Sequence, residues 1–591
     1  MRPATGGIPL RTTGDERPPE RDYETWRARY SAPTPASRVA IRRAIRQLRR
    51  HPLFSVILPV FDPDPALLAQ TIEHVRQQSY GNWELCIADD ASTNPAVREV
   101  LHSAAANDPR IQVTFREVNG HISAASNTAL SLARGEWCAL LDHDDLLHED
   151  AFAHVAREVA DHPDAGIIYS DEDKIDAAGA HSNPYCKGDW NHDLFLGQNF
   201  INHLGVYRAS LLREVGGFRE GFEGSQDYDL ALRCLERLRA DQVRHIPRVL
   251  YHWRIGEGSV AGDPTAKPYA KEAARRSIAE HLQRRGVAAR VEPCPEASES
   301  HRVIYELPEH APLVSMIIPT RDRVDLLRRC INSIRERSDY PALELVIVDN
   351  GSTQMETRYY LRTLEESFGA RIVRDDEAFN FSRLMNRGAQ AATGEVLALL
   401  NNDTEVENGD WLREMVSHAL RPGIGAVGAR LWYPDGTLQH GGVVAGLGGV
   451  AGHAMYRVPR GHPGYFNNIF LTRFCTAVTA ACLVVRKALF EEAGGFDELH
   501  LPVSFNDVDF CLRLRALGLE NIWTPSANLT HHESASRGHH TAPEEQAQFF
   551  REATFVQEKW GAALLEDPFY NPNLTLDWPG FELAFPPRVS L

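Results

Sequence analysis

The chain has 591 residues, several times what one ordinary hydrophobic core needs, so two domains of roughly 250 residues with short extensions are expected. A hydrophobic share of 43% with no apolar run near the ~18 residues of a membrane span excludes a spanning helix, and a net charge of -17 excludes a surface that tracks nucleic-acid phosphates. The nine cysteines are scattered without zinc-site spacing and read as reduced core residues.

In chain order, Met1 to Glu20 is rich in Pro, Gly and Arg and lacks an apolar stretch. A disordered leader and not a secretory signal is expected there, which makes the cytoplasm the default location. Between Arg38 and Arg50 the run RVAIRRAIRQLRR sets Ile41, Ile45 and Leu48 on one helical stripe among six arginines. That pattern suits either peripheral contact with anionic lipid at the inner face of the plasma membrane or an entry helix docked on the first domain.

From residue 52 onward the chain carries one pattern twice. PLFSVILPVFDPD and PLVSMIIPTRDR are apolar strands stopped by Pro59 and Pro319, 260 residues apart. WELCIADDAST and LELVIVDNGST follow, with Asp89 and Asp349 at the same separation. SNTALSLARGEWCALLDHDD matches MNRGAQAATGEVLALLNNDT, setting Asp142 against Asn401 at 259. VGGFREGFEGSQDYDLALR matches AGGFDELHLPVSFNDVDFCLR, setting Asp227 against Asp507 at 280. The second copy has therefore gained about twenty residues, which include Gly441 to Gly452, GGVVAGLGGVAG, read as a mobile loop. The expected organisation is an N-terminal extension over 1–50, a first domain over 51–292, a linker over 293–311, a second domain over 312–541 and a C-terminal extension over 542–591.

Continuous apolar strands alternating with helices imply parallel strands covered on both faces, an α/β sandwich in each copy. Ligands of such sheets bind beyond the carboxyl ends of the strands. Placement alone makes Pro59, Asp89 and Asp90, with Pro319, Asp349 and Asn350 in the second copy, candidates for the ligand site.

The sharpest cluster is Asp142-His143-Asp144-Asp145, carboxylates crowded at the end of a buried strand. Such crowding calls for a hard divalent ion, Mg²⁺ or Mn²⁺, which also bridges to substrate phosphates; helix capping is the plainer alternative. The second copy reads Asn401-Asn402-Asp403-Thr404 and keeps one charge. Asp227 and Asp507 each open a helix, where the dipole favours the ionised carboxylate, and they are the candidate general bases. The neighbouring Asp229 and Asp509 read as caps or substrate-orienting groups. A late histidine follows in each copy: His252 in VLYHWR, and His531 or His532 in NLTHHES. Because 252 and 532 are separated by the same 280 that aligns Asp227 with Asp507, His532 is preferred. A neutral imidazole there completes a metal shell or contacts a diphosphate, and an ordinary surface histidine is the plainer alternative.

In this order the proline-stopped strand, the DD or DN turn, the D-x-D cluster, the acid opening a helix and the late histidine resemble, twice over, the large family 2 of inverting glycosyltransferases. The likeness covers about residues 52 to 290 and 312 to 540. It implies two tandem GT-A-like domains and a nucleoside-diphosphate sugar donor, with a glycan or lipid-linked oligosaccharide as acceptor. It further implies that Asp90 contacts the donor base, that Asp142 and Asp144 form the D-x-D pair with Asp144 on the metal, and that Asp227 is the base. In the second copy these roles fall on Asn350, Asn401, Asp403 and Asp507. There the sequence departs from the pattern, with Asn350 and Asn401 in place of acids, and Gln226 and Asn506 stand where the family usually has Glu. The second copy looks like enzymes that add rhamnose or related sugars to O-antigen and other bacterial cell-surface polysaccharides. One activity per domain is expected; the alternative, favoured by Asn401, is one catalytic domain beside a degenerate module that binds glycan or acceptor.

Overall fold

A computed structural model describes residues 21–255, 268–532 and 542–589. The expected leader lies outside these residues. Among them no helix is long and apolar enough to cross a membrane.

The first sheet runs, in spatial order, through Ile111–Phe115, Trp83–Asp89, Phe54–Val60, Trp137–Leu140, Gly205–Arg208, Ile167–Ile175, Val243–Arg254 and Leu146–Leu147. The second repeats that order with Arg371–Arg374, Leu343–Asp349, Val314–Thr320, Val396–Leu400, Cys482–Arg486, Ile424–Trp432, Glu520–His531 and Thr404–Val406. In both, the first four strands are parallel and the fifth enters antiparallel. Strands such as Trp83–Asp89 and Val314–Thr320 are buried along their whole length, because helices cover both faces. Each fully buried Leu, Ile or Val there contributes roughly 1.5–3 kcal/mol over its exposed state.

One small network fixes the strand that carries the acid cluster. Ser55 Oγ donates to Glu84 Oε1 at 2.7 Å and accepts from the Gly135 N–H at 2.9 Å. Ser315 repeats the contacts with Glu344 (2.5 Å) and Gly394 (2.8 Å). A Cβ at Gly135 would lie 2.6 Å from Leu53 O, and one at Gly394 2.5 Å from Leu313 O, so only glycine lets the chain enter this strand.

Helix Pro35–Gln47 docks Ile41 and Ile45, with Leu48, on the first-domain core, and Arg38 Nε reaches Glu149 Oε1 at 2.7 Å. Its apolar stripe is thus partly covered by protein. Part of the stretch expected as a linker forms an antiparallel hairpin, Ala289–Cys294 with Ala297–Tyr305. The glycine-rich Gly441 to Gly452 is no loose loop: Val443–Ala445 pairs with Ala451–His453, and a Cβ at Gly446 would lie 2.2 Å from Leu564 O.

An apolar cluster in which Cys186 of the first domain packs with Trp432, Leu438, Leu447, Ile469 and Tyr570 joins the two halves, and a part-buried ion pair links Arg421 to Asp193 at 2.7 and 2.9 Å. After helix Pro543–Trp560 the chain returns to the first domain. There Asn571 Nδ2 donates to Asp171 Oδ2 at 2.9 Å and Asn573 Nδ2 to Pro247 O at 2.9 Å. Trp26 Nε1 donates to Ala584 O at 3.0 Å, tying the two ends of the described chain together.

Candidate active sites

Each sheet opens into a cleft at the carboxyl ends of its strands. The first, about 1000 Å³, is lined by Pro59, Asp90, Asp142, Asp144, His203 and Asp227 among others. The second, about 560 Å³, is lined by Pro319, Asn350, Asn401, Asp403, Asp507 and His531 among others. Acids from one strand end therefore meet an acid from a helix start in both halves.

Not every predicted residue reaches these clefts. Asp89 and Asp349 sit beneath the floor and hold the following turn, taking the N–H of Ser92 (3.3 Å) and Ser352 (3.0 Å). Asp90 lies in the cleft with its carboxylate already bonded to Arg116 Nε at 2.7 Å and to the Gly120 N–H at 3.0 Å. Asn350 gives its Nδ2 to Asp375 O and Glu377 O, at 3.1 and 2.9 Å, which leaves its buried Oδ1 without a protein partner. Asp229 is spent on Arg219 and Arg233, and Asp509 on Arg513, Lys559 and Trp560.

In the first cleft Asp142 is exposed while Asp145 is buried, taking Tyr251 Oη at 2.6 Å and the Arg254 N–H at 2.7 Å. Burial, then the neighbouring Asp142, pushes the Asp145 carboxyl well up. Asp227, second residue of helix Gln226–Leu235, accepts from Asn199 Nδ2 at 2.9 Å. Burial raises its pKa, the His203 charge opposes the rise and Asp142 adds to it, so the carboxylate is a better proton acceptor than a free aspartate. In the second cleft Asp507 takes the Ala480 N–H at 3.0 Å.

Sequence reading missed His203. Its ring lies within ligand reach of Asp142 and Asp145, and its Nδ1 stands 3.3 Å from Glu172 Oε2. Burial alone would lower its pKa, yet the Glu172 charge and hydrogen bond, with Asp145 and Asp142, lift it to about 9. The only sequence signal was a polar Asn202-His203 pair ahead of an apolar strand, and the second copy has Ala480-Ala481 there.

The histidine assignment is corrected by strand register. His252 faces Leu146, whereas Thr530 faces Glu405 and His531 faces Thr404. With Leu146 and Glu405 equivalent, His252 matches Thr530, His531 matches Trp253 and His532 matches Arg254. Two fewer residues separate Thr530 from Asp507 than separate His252 from Asp227, and a constant offset of 280 hides this. His252 does not line the cleft: its Nδ1 is 2.6 Å from buried Asp173, which also holds His181 at 2.8 Å and Tyr23 Oη at 2.6 Å. His531 Nε2 lies 3.0 Å from Asp403 Oδ1, while His532 Nε2 is turned toward Glu405 at 3.4 Å.

The family model described as glycosyl transferase family 2 matches residues 55–216 and 315–483, together more than half of the chain. The two units are GT-A-like α/β domains, and the chain belongs to glycosyl transferase family 2. Similar proteins include the uncharacterized protein y4gI of Sinorhizobium fredii, 51% identical over 92% of this chain and 60% of its own length. The O-antigen biosynthesis protein RfbC of Myxococcus xanthus is 39% identical over 96% of this chain and 43% of its own length. The chain thus spans less than two thirds of either relative. Among solved structures, the mannosyltransferase PcManGT of Pyrobaculum calidifontis, in complex with GDP-Man and Mn²⁺, shares 19% identity over 43% of this chain and 67% of its own, with a TM-score of 0.33.

Proposed function

We propose that each cleft transfers a sugar from a nucleoside-diphosphate donor to a growing cell-surface glycan with inversion, one linkage per cleft. The observation that supports this most is the shared geometry: Asp144 and Asp227 line one cleft, and Asp403 and Asp507 line its counterpart. The relatedness to RfbC, which is named for O-antigen biosynthesis, supports a polysaccharide as product.

Asp227 and Asp507 accept the proton of the acceptor hydroxyl as its oxygen attacks the anomeric carbon from the face opposite the diphosphate. Bond formation to the acceptor and loss of the nucleoside diphosphate occur in one displacement, so no sugar is held covalently by the protein. Pro59 with Asp90, and Pro319 with Asn350, hold the donor at the strand ends. The unpartnered Oδ1 atoms of Asn350 and Asn401 offer the second cleft two acceptors for donor or cation. Asp142 and Asp144 in the first cleft, and Asp403 with His531 in the second, have the donor chemistry to hold Mg²⁺ or Mn²⁺. When bound, the ion neutralises charge on the departing diphosphate.

The test is product analysis of the full chain with candidate nucleotide sugars and acceptors, alongside D227N and D507N. Each variant is expected to lose one linkage with inverted configuration in the other. Retention of the donor's anomeric configuration, or loss of neither linkage, would overturn the reading.

A further inference from the structure

His531 and Gln439 sit on strands that flank Ile424–Trp432 on either side of the second cleft. Both line it. His531 Nδ1 stands 2.7 Å from Gln439 Oε1, and an amide oxygen can only accept, so Nδ1 carries the ring proton. The Nε2 lone pair then points at Asp403 Oδ1, 3.0 Å away, with Asn401 Nδ2 at 3.3 Å. In the neutral ring, a lone pair facing a carboxylate at that distance is repulsive until a proton or a metal cation lies between them. The Oδ1 of the same Asn401 amide is buried without a protein partner.

In the first domain the pair is missing as a unit. The ladders that set Glu172 against Tyr185 and Leu431 against His440 put Pro184 where Gln439 stands, and Trp253 takes the place of His531. Neither replacement offers the acceptor or the ring nitrogen.

We propose that Gln439 is a positioning residue of the second cleft, which fixes His531 as its Nδ1–H tautomer and so reserves Nε2 for a divalent cation shared with Asp403. The inference rests on reading Asp403 and His531 as a cation site. Its consequence is a mixed nitrogen and oxygen donor set, which tolerates softer ions than carboxylates alone do. Partners that orient a metal-bound histidine typically change affinity by roughly 10–100-fold when removed.

The test loads the full chain with Co²⁺ and records proton NMR outside the diamagnetic range, with Co²⁺ affinity from titration. The expected result is a shifted, solvent-exchangeable imidazole N–H signal that H531Q removes. Q439L should weaken Co²⁺ at this site by roughly tenfold or more, and Q439E, which keeps an acceptor, should retain both signal and affinity. A Q439L protein with unchanged signal and affinity overturns the role of Gln439. No such signal in the wild type, while D403N still lowers Co²⁺ affinity, overturns the tautomer assignment and leaves the cation reading standing. No Co²⁺ bound at either cleft removes both. Melting curves of Q439L and Q439E separate a local effect from unfolding, and the wild-type and H531Q spectra decide the point even if Q439L does not fold.

Discussion

The two clefts share a scaffold and differ in charge. Both rest on the serine, glutamate and glycine network under the acid strand, and both brace the next loop with an aspartate. Asp62 takes the N–H groups of Thr93 and Asn94 at 2.7 and 3.0 Å, and Asp322 those of Thr353 and Gln354 at 2.9 and 2.8 Å. Inside the clefts the agreement is partial: Pro59 with Pro319, Asp144 with Asp403 and Asp227 with Asp507 are kept. Asp90, Asp142 and Asp145 face Asn350, Asn401 and Thr404 in the other copy, and His203 gives way to Ala481 as Trp253 gives way to His531. Polar groups that hold turns are kept because losing one leaves buried donors unmet. The clefts therefore share a frame and one acid at each helix start, and differ in the charge around it.

The largest effect that can break this comparison is loss of the bases. D227N and D507N should each lower transfer at their own cleft by roughly 10²–10⁴-fold, with the other linkage untouched. One variant that silences both linkages would mean a single composite site. Next is R421M, which leaves buried Asp193 without its guanidinium partner between the domains, with the more distant His192 beside it. Chemical denaturation should show a loss of about 3–5 kcal/mol, with the ratio of the two linkages unchanged if the clefts work independently.

Smaller is N571A, which deprives buried Asp171 of a donor from the C-terminal tail and should cost about 1–3 kcal/mol by the same measurement. Asp171 also pairs with His245 at 2.8 Å. Burial would lower the His245 pKa, but the Asp171 charge and hydrogen bond raise it to about 9. A raised folded value stabilises fully below the unfolded ~6.5 and is lost as pH climbs through about 9. Melting temperature should therefore fall on the alkaline side, in N571A as in the wild type, because the His245–Asp171 pair stays in place. The finest test is the acid limb of first-cleft activity. Because the Asp227 pKa is raised, the limb should lie above the ordinary ~3.9 of aspartate, and H203Q should move it higher by removing the opposing charge. A limb unmoved in H203Q would detach His203 from the base.

Fold and repeat were legible because they are written in long apolar runs and in glycines with one steric solution, Gly135 and Gly394. The acids of the clefts were legible because carboxylates at buried strand ends have few other uses. Asp89 and Asp349 show the limit: spacing cannot tell an acid that faces a cleft from one turned beneath it by a single residue. His532 was preferred over His531 because two residues lost in a turn shift a strand without changing its look. His203 and Gln439 were illegible for a different reason, since each gains its meaning only from partners over thirty residues away, Glu172 and His531. Gly441 to Gly452 read as loose because glycine permits mobility, but here its positive-φ positions let a hairpin pack against Leu564 and its neighbours.

The return of the chain to the first domain bears on biosynthesis. While the polypeptide is being made, Asp171 is walled in by the first sheet long before Asn571 and Asn573 exist to meet it. The earlier half therefore waits, its interior one anchor short, until synthesis has passed residue 573. A chain cut between the two halves would leave Asp171 with His245 and the Lys187 N–H alone, two side-chain donors short of the whole protein.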